Sequence, residues 1–286
     1  MSDGVPPASP AALDALRRRL DGWARALGFE ALGVTDVDAG PHRDYLAQWL
    51  AQGHHGSMLW MERHEALRSD PTGLLPGALR VISVRMNYRP RDDDPEAVLA
   101  DPRKAYIARY ALGRDYHKVL RPRLARLAER MEREAGGQHR ALTDSAPLLE
   151  KAYGEKAGLG WIGKNTLLLN REAGSWFLLG EILSTLPLPI DDPSTGDPCG
   201  TCSRCLSACP TDAFRGPRQL DARRCLAYQT IENKGPIPEA LRRPLGNRIF
   251  GCDDCQLVCP FTKFSRPTEE GDFAPRHDFD RSELLE

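Results

Sequence analysis

The chain's first regular pattern is Leu13, Leu16, Leu20, Trp23 and Leu27, whose steps of three and four place apolar groups on one face of a helix. The eight or nine polar, Pro/Ala-rich residues ahead of it read as a disordered lead-in. Phe29 to Val34 then reads as a strand, and a loop-rich stretch containing Trp60, Met61 and Arg68 leads to Val81-Ile-Ser-Val-Arg-Met-Asn-Tyr88, a β-branched run that predicts a core strand ended by Pro90. The acidic segment Arg91 to Glu96 is expected to be a surface loop. Leu120, Leu124, Leu127 and Met131 predict a second long helix, stopped by Gly136-Gly137. A short strand over 140–143 delivers Asp144-Ser-Ala-Pro147, and the Pro-first, Gly-last asymmetry predicts a helix from about Pro147 to Gly158. Thr166 to Leu169 and Ser175 to Leu183 read as two strands of a hairpin that turns through Gly174. Helices and strands alternate, so residues 1–190 are expected to form an α/β or α+β domain, with Asp191 to Pro198 as its exit.

Beyond that point periodicity gives way to cysteine spacing. Cys199-Gly-Thr-Cys202-Ser-Arg-Cys205-Leu-Ser-Ala-Cys209-Pro210 is the C-x2-C-x2-C-x3-C-P run in which three thiolates hold one 4Fe-4S cube and the fourth holds a neighbouring cube. The second run, Cys252-Asp-Asp-Cys255-Gln-Leu-Val-Cys259-Pro260, is one cysteine short of the same pattern. Cys225, between the two runs, completes it. Crossed ligation assigns Cys199, Cys202, Cys205 and Cys259 to one cube and Cys209, Cys225, Cys252 and Cys255 to the other, which uses all eight cysteines. Disulfides suit a secreted chain, whereas Met1 to Ala12 has no apolar signal core. Paired zinc sites leave the x3-Cys-Pro endings without a purpose. Residues 191–265 are therefore expected to be a two-cluster, bacterial ferredoxin-like domain, followed by a C-terminal segment over 266–286.

Composition adds few constraints. At 286 residues, 41% hydrophobic and 28% charged, the chain can bury one large core and a smaller second unit. No apolar stretch approaches the ~20 residues of a membrane helix, so a cytoplasmic protein with no membrane partner is expected. A net charge of -1 carries no global basic signature, yet Arg103, Lys104, Arg109, Arg114, Lys118, Arg121, Arg123 and Arg126 face only Asp115 within their segment. Such a stretch is either a solvated helix face or a phosphate-binding patch.

The string Thr143-Asp-Ser-Ala-Pro-Leu-Leu-Glu-Lys-Ala-Tyr-Gly-Glu-Lys-Ala-Gly-Leu-Gly-Trp-Ile-Gly-Lys-Asn165, with Gly113-Arg-Asp-Tyr-His-Lys-Val-Leu120 before it and Tyr228-Gln-Thr-Ile-Glu-Asn-Lys-Gly235 after the first cysteine run, resembles the epoxyqueuosine reductase family. The likeness runs from about Leu13 to His277. It implies an N-terminal cobalamin-binding domain of nitroreductase-like and reductive-dehalogenase-like architecture. It also implies an enzyme that removes the epoxide oxygen of epoxyqueuosine at the wobble position of tRNA, leaving queuosine. Single electrons would pass through the cubes while cobalamin performs the carbon-oxygen chemistry that side chains cannot. Neither composition nor spacing shows the cobalamin.

Carried over residue by residue, the resemblance makes Asp144 the proton donor to the departing oxygen, in a partly desolvated site that raises its pKa. A bland alternative is that Asp144, or Ser145, caps the next helix. Arg68, Asp144, Leu168, Leu179, Ala227, Cys252 and Asp253 match cobalamin contacts, and Lys151 and Lys234 match positions near the RNA. The cube of Cys209, Cys225, Cys252 and Cys255 would be proximal to the corrin, and the other would receive electrons from a ferredoxin or flavodoxin. Asp115-Tyr-His117 begins like the D-x-H-x-x-G signature of histidine-ligated cobalamin, but Leu120 stands at the glycine, so His117 reads as structural or as a contact to phosphate or the cofactor tail. Gly163-Lys164 lacks the spacing of a phosphate loop. Longer members of the family continue past residues 276–279 into a helical-repeat tail absent from this sequence, so RNA affinity is less secure than the chemistry. A monomer is expected. Two other classes remain: a plain two-cluster electron carrier, and a cobalamin-dependent reductase of a small molecule, which usually bears a twin-arginine leader not visible over 1–19.

Overall fold

The computed structural model describes residues 9–91, 94–280 and 282–284; the expected lead-in over 1–8 and part of the acidic loop at 92–93 lie outside them. Helix α1 (Pro10–Ala26) begins at Ser9, whose Oγ accepts the N–H of Ala12 at 3.3 Å and satisfies one orphan donor of the first turn. Its apolar stripe buries Leu13, Leu16, Leu20 and Trp23. Four strands follow in the chain: β1 (Ala31–Thr35), β2 (Arg80–Asn87), β3 (His139–Leu142) and β4 (Phe177–Ser184). They form one antiparallel sheet in the order β1-β2-β4-β3. The architecture is therefore α+β.

Helix α2 (Tyr116–Ala135) starts at an Asp115 cap and lies beside α1 on one face of the sheet, where Leu16, Leu20, Val34, Ile82, Val84, Leu120, Leu124, Leu127 and Ile182 make the main core. Burying an aliphatic side chain of this kind contributes roughly 1.5–3 kcal/mol. The opposite face carries Val81, Leu183 and Leu142 against Tyr153 of the short helix α3 (Glu150–Lys156). Strand β2 is buried on both faces because it lies between two helical layers, which is why its sequence does not alternate. Gly33 allows the close approach of α3: a Cβ there would lie 2.0 Å from the Ala157 carbonyl oxygen.

Three local expectations change. The stretch ahead of β2 is not loop-rich: it holds helices at His42–Ala51, Leu59–Arg63 and Glu65–Ser69, too short and too weakly amphipathic to show a period. The residues after 94 form a helix, Pro95–Ala100, capped by Asp94. The expected hairpin does not form, since Leu168–Leu169 pairs with Trp161–Ile162 while β4 joins the main sheet; Asn170 and Gly174 merely bridge the turn. Two apolar runs separated by a turn fit either pairing, and the tertiary contacts of β4 with β2 decide it.

The cysteine-rich segment is tied into this body. Arg248–Phe250 pairs in parallel with Tyr106–Ile107, Asp191 accepts from Arg17 and from the Val34 N–H, and Phe273 is buried in the main core. Among the described residues no helix is long and apolar enough to cross a membrane.

Candidate functional site

Asp144 sits where β3 leaves the sheet and α3 has not begun. Its φ of 40° is in the left-handed region, which Asp tolerates better than most residues yet still at a cost of order 1–3 kcal/mol. It caps no helix: α3 starts six residues later, and Leu149 is the residue at its cap. The carboxylate is held from α2. Tyr116 donates its hydroxyl to Asp144 Oδ2 at 2.5 Å, and His117 Nε2 lies 3.1 Å from the same oxygen while its Nδ1 meets Asp115 at 2.9 Å. The two rings stack at 4.1 Å. His117 is thus a neighbour of Asp144, a role that sequence reasoning did not assign. Its signal was available, because Asp115-Tyr-His117 opens a helix aimed at the Asp144 loop. The backbone is held from α3, where Glu150 Oε1 accepts the Asp144 N–H at 2.5 Å.

Asp144 remains 56% exposed at its side chain, so the protein alone does not supply the desolvation expected from the sequence. Beside it a cavity of about 150 Å³ is lined by Tyr116, Asp144, Glu150, Leu168, Phe177 and Leu179, among others. Leu168 and Leu179 are therefore brought to Asp144, and Lys151 lines the same cavity while donating to the Thr166 carbonyl at 2.8 Å. Arg68 is 6% exposed, stacks on Trp60 at 5.1 Å, donates to the Leu148 carbonyl and feels the charges of Glu150 and Asp144. Its buried Nε has no hydrogen-bond partner among the described residues. The apolar floor of Leu168, Phe177 and Leu179 suits the apolar face of a ring system such as cobalamin, of which the cavity of about 150 Å³ encloses only a part, the rest lying outside its open mouth.

The eight cysteines form two adjoining neighbourhoods. Burial, then the adjoining Cys199, Cys259 and Cys202, push the Cys205 thiol up to about 11. Cys225, Cys205 and Cys209 adjoin Cys255, which also lies near Cys252, so the two neighbourhoods meet at Cys205 and Cys255. Burial raises Cys225, Cys252, Cys255 and Cys259 as well, so their thiolates depend on a bound cation for stability. Cys259, from the second run, adjoins Cys199 and Cys202, and Cys209, from the first, adjoins Cys225. Among the described residues no group converges on a single-ion position. A surface hollow of about 990 Å³ opens beside Cys202 and Cys259.

The motif Gly163-Lys164-Asn165 clamps both neighbourhoods. Lys164 Nζ donates to the carbonyls of Gly200 and Cys202 at 2.5 and 2.9 Å, and Asn165 Nδ2 donates to that of Cys255 at 3.4 Å. The string that carries Asp144 therefore also ties the cysteine loops to the cavity. Ala227 follows Cys225 on the helix Leu226–Ile231, which docks through Tyr228: its hydroxyl accepts the Ser57 N–H at 2.7 Å, over Gly56, where a Cβ would lie 2.5 Å from that oxygen. Asp253 turns inward, with its carboxyl on the Tyr106 hydroxyl and the Arg109 N–H. Burial pushes it up to about 6 against those partners.

The basic stretch is thinner than its sequence. Arg109 is buried, Arg103 pairs with Asp101, Arg114 with Asp272, and Arg123 with Glu270 at 2.6 Å. Lys118, Arg121 and Arg126 stay exposed, and Arg121 donates to Ser145 beside Asp144. Lys234 is exposed after the helix Leu226–Ile231. Two acids escaped sequence reading altogether: Glu150, and Glu181 in the middle of β4, which is fully buried. A lone acid in Phe-Leu-Leu-Gly-Glu-Ile-Leu-Ser was the available signal.

Two family models match the chain: "Epoxyqueuosine reductase QueG, DUF1730" over residues 68–145, and "4Fe-4S double cluster binding domain" over 198–262. The chain is 55% identical over 287 residues to the epoxyqueuosine reductase of Pseudomonas aeruginosa, covering 100% of this chain and 79% of that protein. It is 50% identical over 278 residues to the one of Escherichia coli, covering 97% and 73%. A crystal structure of epoxyqueuosine reductase with an epoxyqueuosine-modified tRNA-Tyr stem loop superposes with a TM-score of 0.85 at 30% identity, covering 94% of this chain and 71% of the other. The Bacillus subtilis enzyme with its catalytic aspartate loop swung out of the active site gives 0.82 at 30%, with 94% and 71% covered. A B12-dependent reductive dehalogenase shares the fold at 16% identity and a TM-score of 0.52, over 92% of this chain and 34% of that one.

Proposed function

The chain belongs to the epoxyqueuosine reductase family, and from that premise we propose that it reduces the epoxide of epoxyqueuosine in tRNA to the alkene of queuosine, taking up two electrons and two protons and releasing water. The observation that carries this reading is Asp144: a carboxyl held at strained backbone geometry by Tyr116, His117 and Glu150 at the mouth of a cavity, on the same string that clamps the cysteine loops. Asp144 hands a proton to the oxygen as its bond to carbon breaks. An alkoxide leaves poorly, and a positioned acid typically contributes about 10²- to 10⁴-fold.

Cysteines 199, 202, 205 and 259 would hold one 4Fe-4S cube and cysteines 209, 225, 252 and 255 the other, a division that the two thiol neighbourhoods support. Arg68, Leu168 and Leu179, with the backbone near Ala227 and Cys252, would hold cobalamin. When bound, the cubes and the corrin supply single-electron relay and a carbon-directed reductant, chemistry absent from side chains. The hollow beside Cys202 and Cys259 suits an approaching ferredoxin or flavodoxin, which makes that cube the distal one. Residues 1–190 would form the substrate domain, 191–265 the cluster domain and 266–286 the terminal segment, in a monomeric cytoplasmic protein.

The direct test uses anaerobically reconstituted protein with cobalamin, a chemical reductant and an anticodon stem-loop carrying epoxyqueuosine; queuosine should appear in the digested RNA. Iron-sulfur spectra with no corrin binding and no product would instead identify an electron carrier. The reduced basic patch gives a second measurement. Lys118, near Asp115, and Arg121, bonded to Ser145, are exposed cations of the basic stretch near the start of α2, whereas Arg123 is engaged with Glu270 and the Leu27 carbonyl. Each phosphate that is no longer neutralised by a protein cation lowers the slope of log affinity against log salt by roughly 0.7–0.9. Reversing Lys118 and Arg121 together should flatten it by up to twice that amount, while the RNA would lie nearer Lys151 and Lys234 if the slope stayed unchanged.

A further inference from the structure

The reaction consumes two protons, one to neutralise the oxygen freed from carbon and one to release it as water, and Asp144 carries one. Directly behind it lie two further carboxyls. Glu150 accepts the Asp144 N–H through Oε1 and lines the cavity. Glu181 is completely buried on β4, on the sheet face covered by α3, and lies against Glu150. Neither Glu181 oxygen has a hydrogen-bond donor among the described residues. Ser83, its direct neighbour across β2, is buried as well, with a hydroxyl that bonds nothing described. As two carboxylates, Glu150 and Glu181 would repel in a dry setting; with one proton between them each satisfies the other. A carboxyl taken out of water without a donor or cation of its own keeps its proton.

We propose that Glu150 and Glu181 share a proton and act as the store that reloads Asp144 between its two proton transfers. The proposal rests on the reading of Asp144 as proton donor. Asp144 gives its first proton to the oxygen as the carbon-oxygen bond breaks, takes the stored proton through Glu150, and gives it to the departing hydroxyl. The pair is left doubly ionised and regains its proton from solvent after product leaves. Electrons arrive separately, through the cubes. An internal source is needed if the bound RNA shields Asp144 from solvent during this interval.

The surroundings suit such a store. Arg68 and Lys151 face the pair from the helix at 65–69 and from α3, and offset the second negative charge; Asp144, on the strand-to-helix loop, and Tyr116, on α2, face it too. His117, also on α2, reaches Asp144 on the oxygen that accepts the Tyr116 hydroxyl. Burial pushes Glu150 up to about 7, with the hydrogen bond to Glu181 opposing and the charge of Asp144 adding to the rise; burial and then the charge of Glu150 push Glu181 well above the usual carboxylate range. The store is therefore full below neutral pH and empties as pH rises through and above 7. Both glutamates act through Asp144 and are positioning residues in that sense.

Two measurements test the proposal. Infrared spectroscopy of the protein at pH 7 should show a protonated carboxyl band that shifts in deuterated water, is lost in Glu181→Gln and moves in frequency in Glu150→Gln, where Glu181 keeps its proton but loses the carboxyl that shares it. Single-turnover conversion should slow about tenfold in each variant, less than the 10²- to 10⁴-fold of a direct donor because solvent can partly substitute, and the fall in wild-type rate above pH 7 should disappear. Iron content and corrin binding, kept equal to wild type, show that both variants fold. Glu150→Gln retains an amide oxygen for the Asp144 N–H, so it separates holding the loop from passing a proton. A wild type that converts substrate without the band, or variants that convert at the wild-type rate, overturns the proposal. A wild type that makes no queuosine would instead overturn the reading of function, and the band alone then decides whether the proton is shared.

Discussion

Asp144→Asn should give a folded protein with its full iron content and normal corrin binding that converts epoxyqueuosine-containing stem-loop RNA about 10²- to 10⁴-fold more slowly in a single turnover. The substitution isolates the proton. Asparagine occupies left-handed backbone as readily as aspartate, so the φ of 40° is not disturbed. Its amide oxygen still accepts the Tyr116 hydroxyl, and its N–H still reaches Glu150. No helix cap is lost, because Asp144 caps none. What disappears is an acid able to protonate an oxygen that would otherwise leave as an alkoxide. A variant that makes queuosine at a near-normal rate would remove Asp144 from the mechanism and turn attention to Tyr116 and His117, the groups in contact with it.

The other large effect is expected at Cys225→Ser, which should reduce iron from about eight to about four atoms per chain and abolish conversion with any electron donor that works through the cubes. Cys225 stands apart from both runs in sequence, yet it adjoins Cys209 and Cys255 and receives backbone N–H groups of Ala227 and Tyr228. On the crossed assignment proposed above, the cube of Cys199, Cys202, Cys205 and Cys259 shares no ligand with it and should survive, visible in the spectrum of the reduced protein. A chain with iron near two atoms, or zinc in place of iron, contradicts the two-cube assignment. So does a Cys225→Ser protein that keeps all its iron.

The division of labour between sequence and structure follows the range of the interactions involved. Helices α1 and α2 and strand β2 were legible because burial of a face or of a whole strand leaves a period or an unbroken apolar run. The helices between 42 and 69 were not, since segments of five to ten residues owe their form to packing. The cysteine spacing announced iron-sulfur ligation, because a cube demands ligands at fixed intervals along a local loop. The basic stretch misled for the converse reason: a count of charges along the chain cannot see Glu270 and Asp272 arriving from about 150 residues away to neutralise Arg123 and Arg114.

By itself, then, the sequence determined the local features: the amphipathic stripes, the ligand spacing, and an Asp144 string specific enough to mark its kinship. Only the tertiary structure decided which groups meet. It set Tyr116 and His117 on Asp144, used Lys164 and Asn165 to bind two cysteine loops to one cavity, and buried Glu181 against Glu150. Those contacts join residues tens of positions apart, and their energy depends on burial and on the absence of water, which exist only once the sheet and its two helical layers have closed.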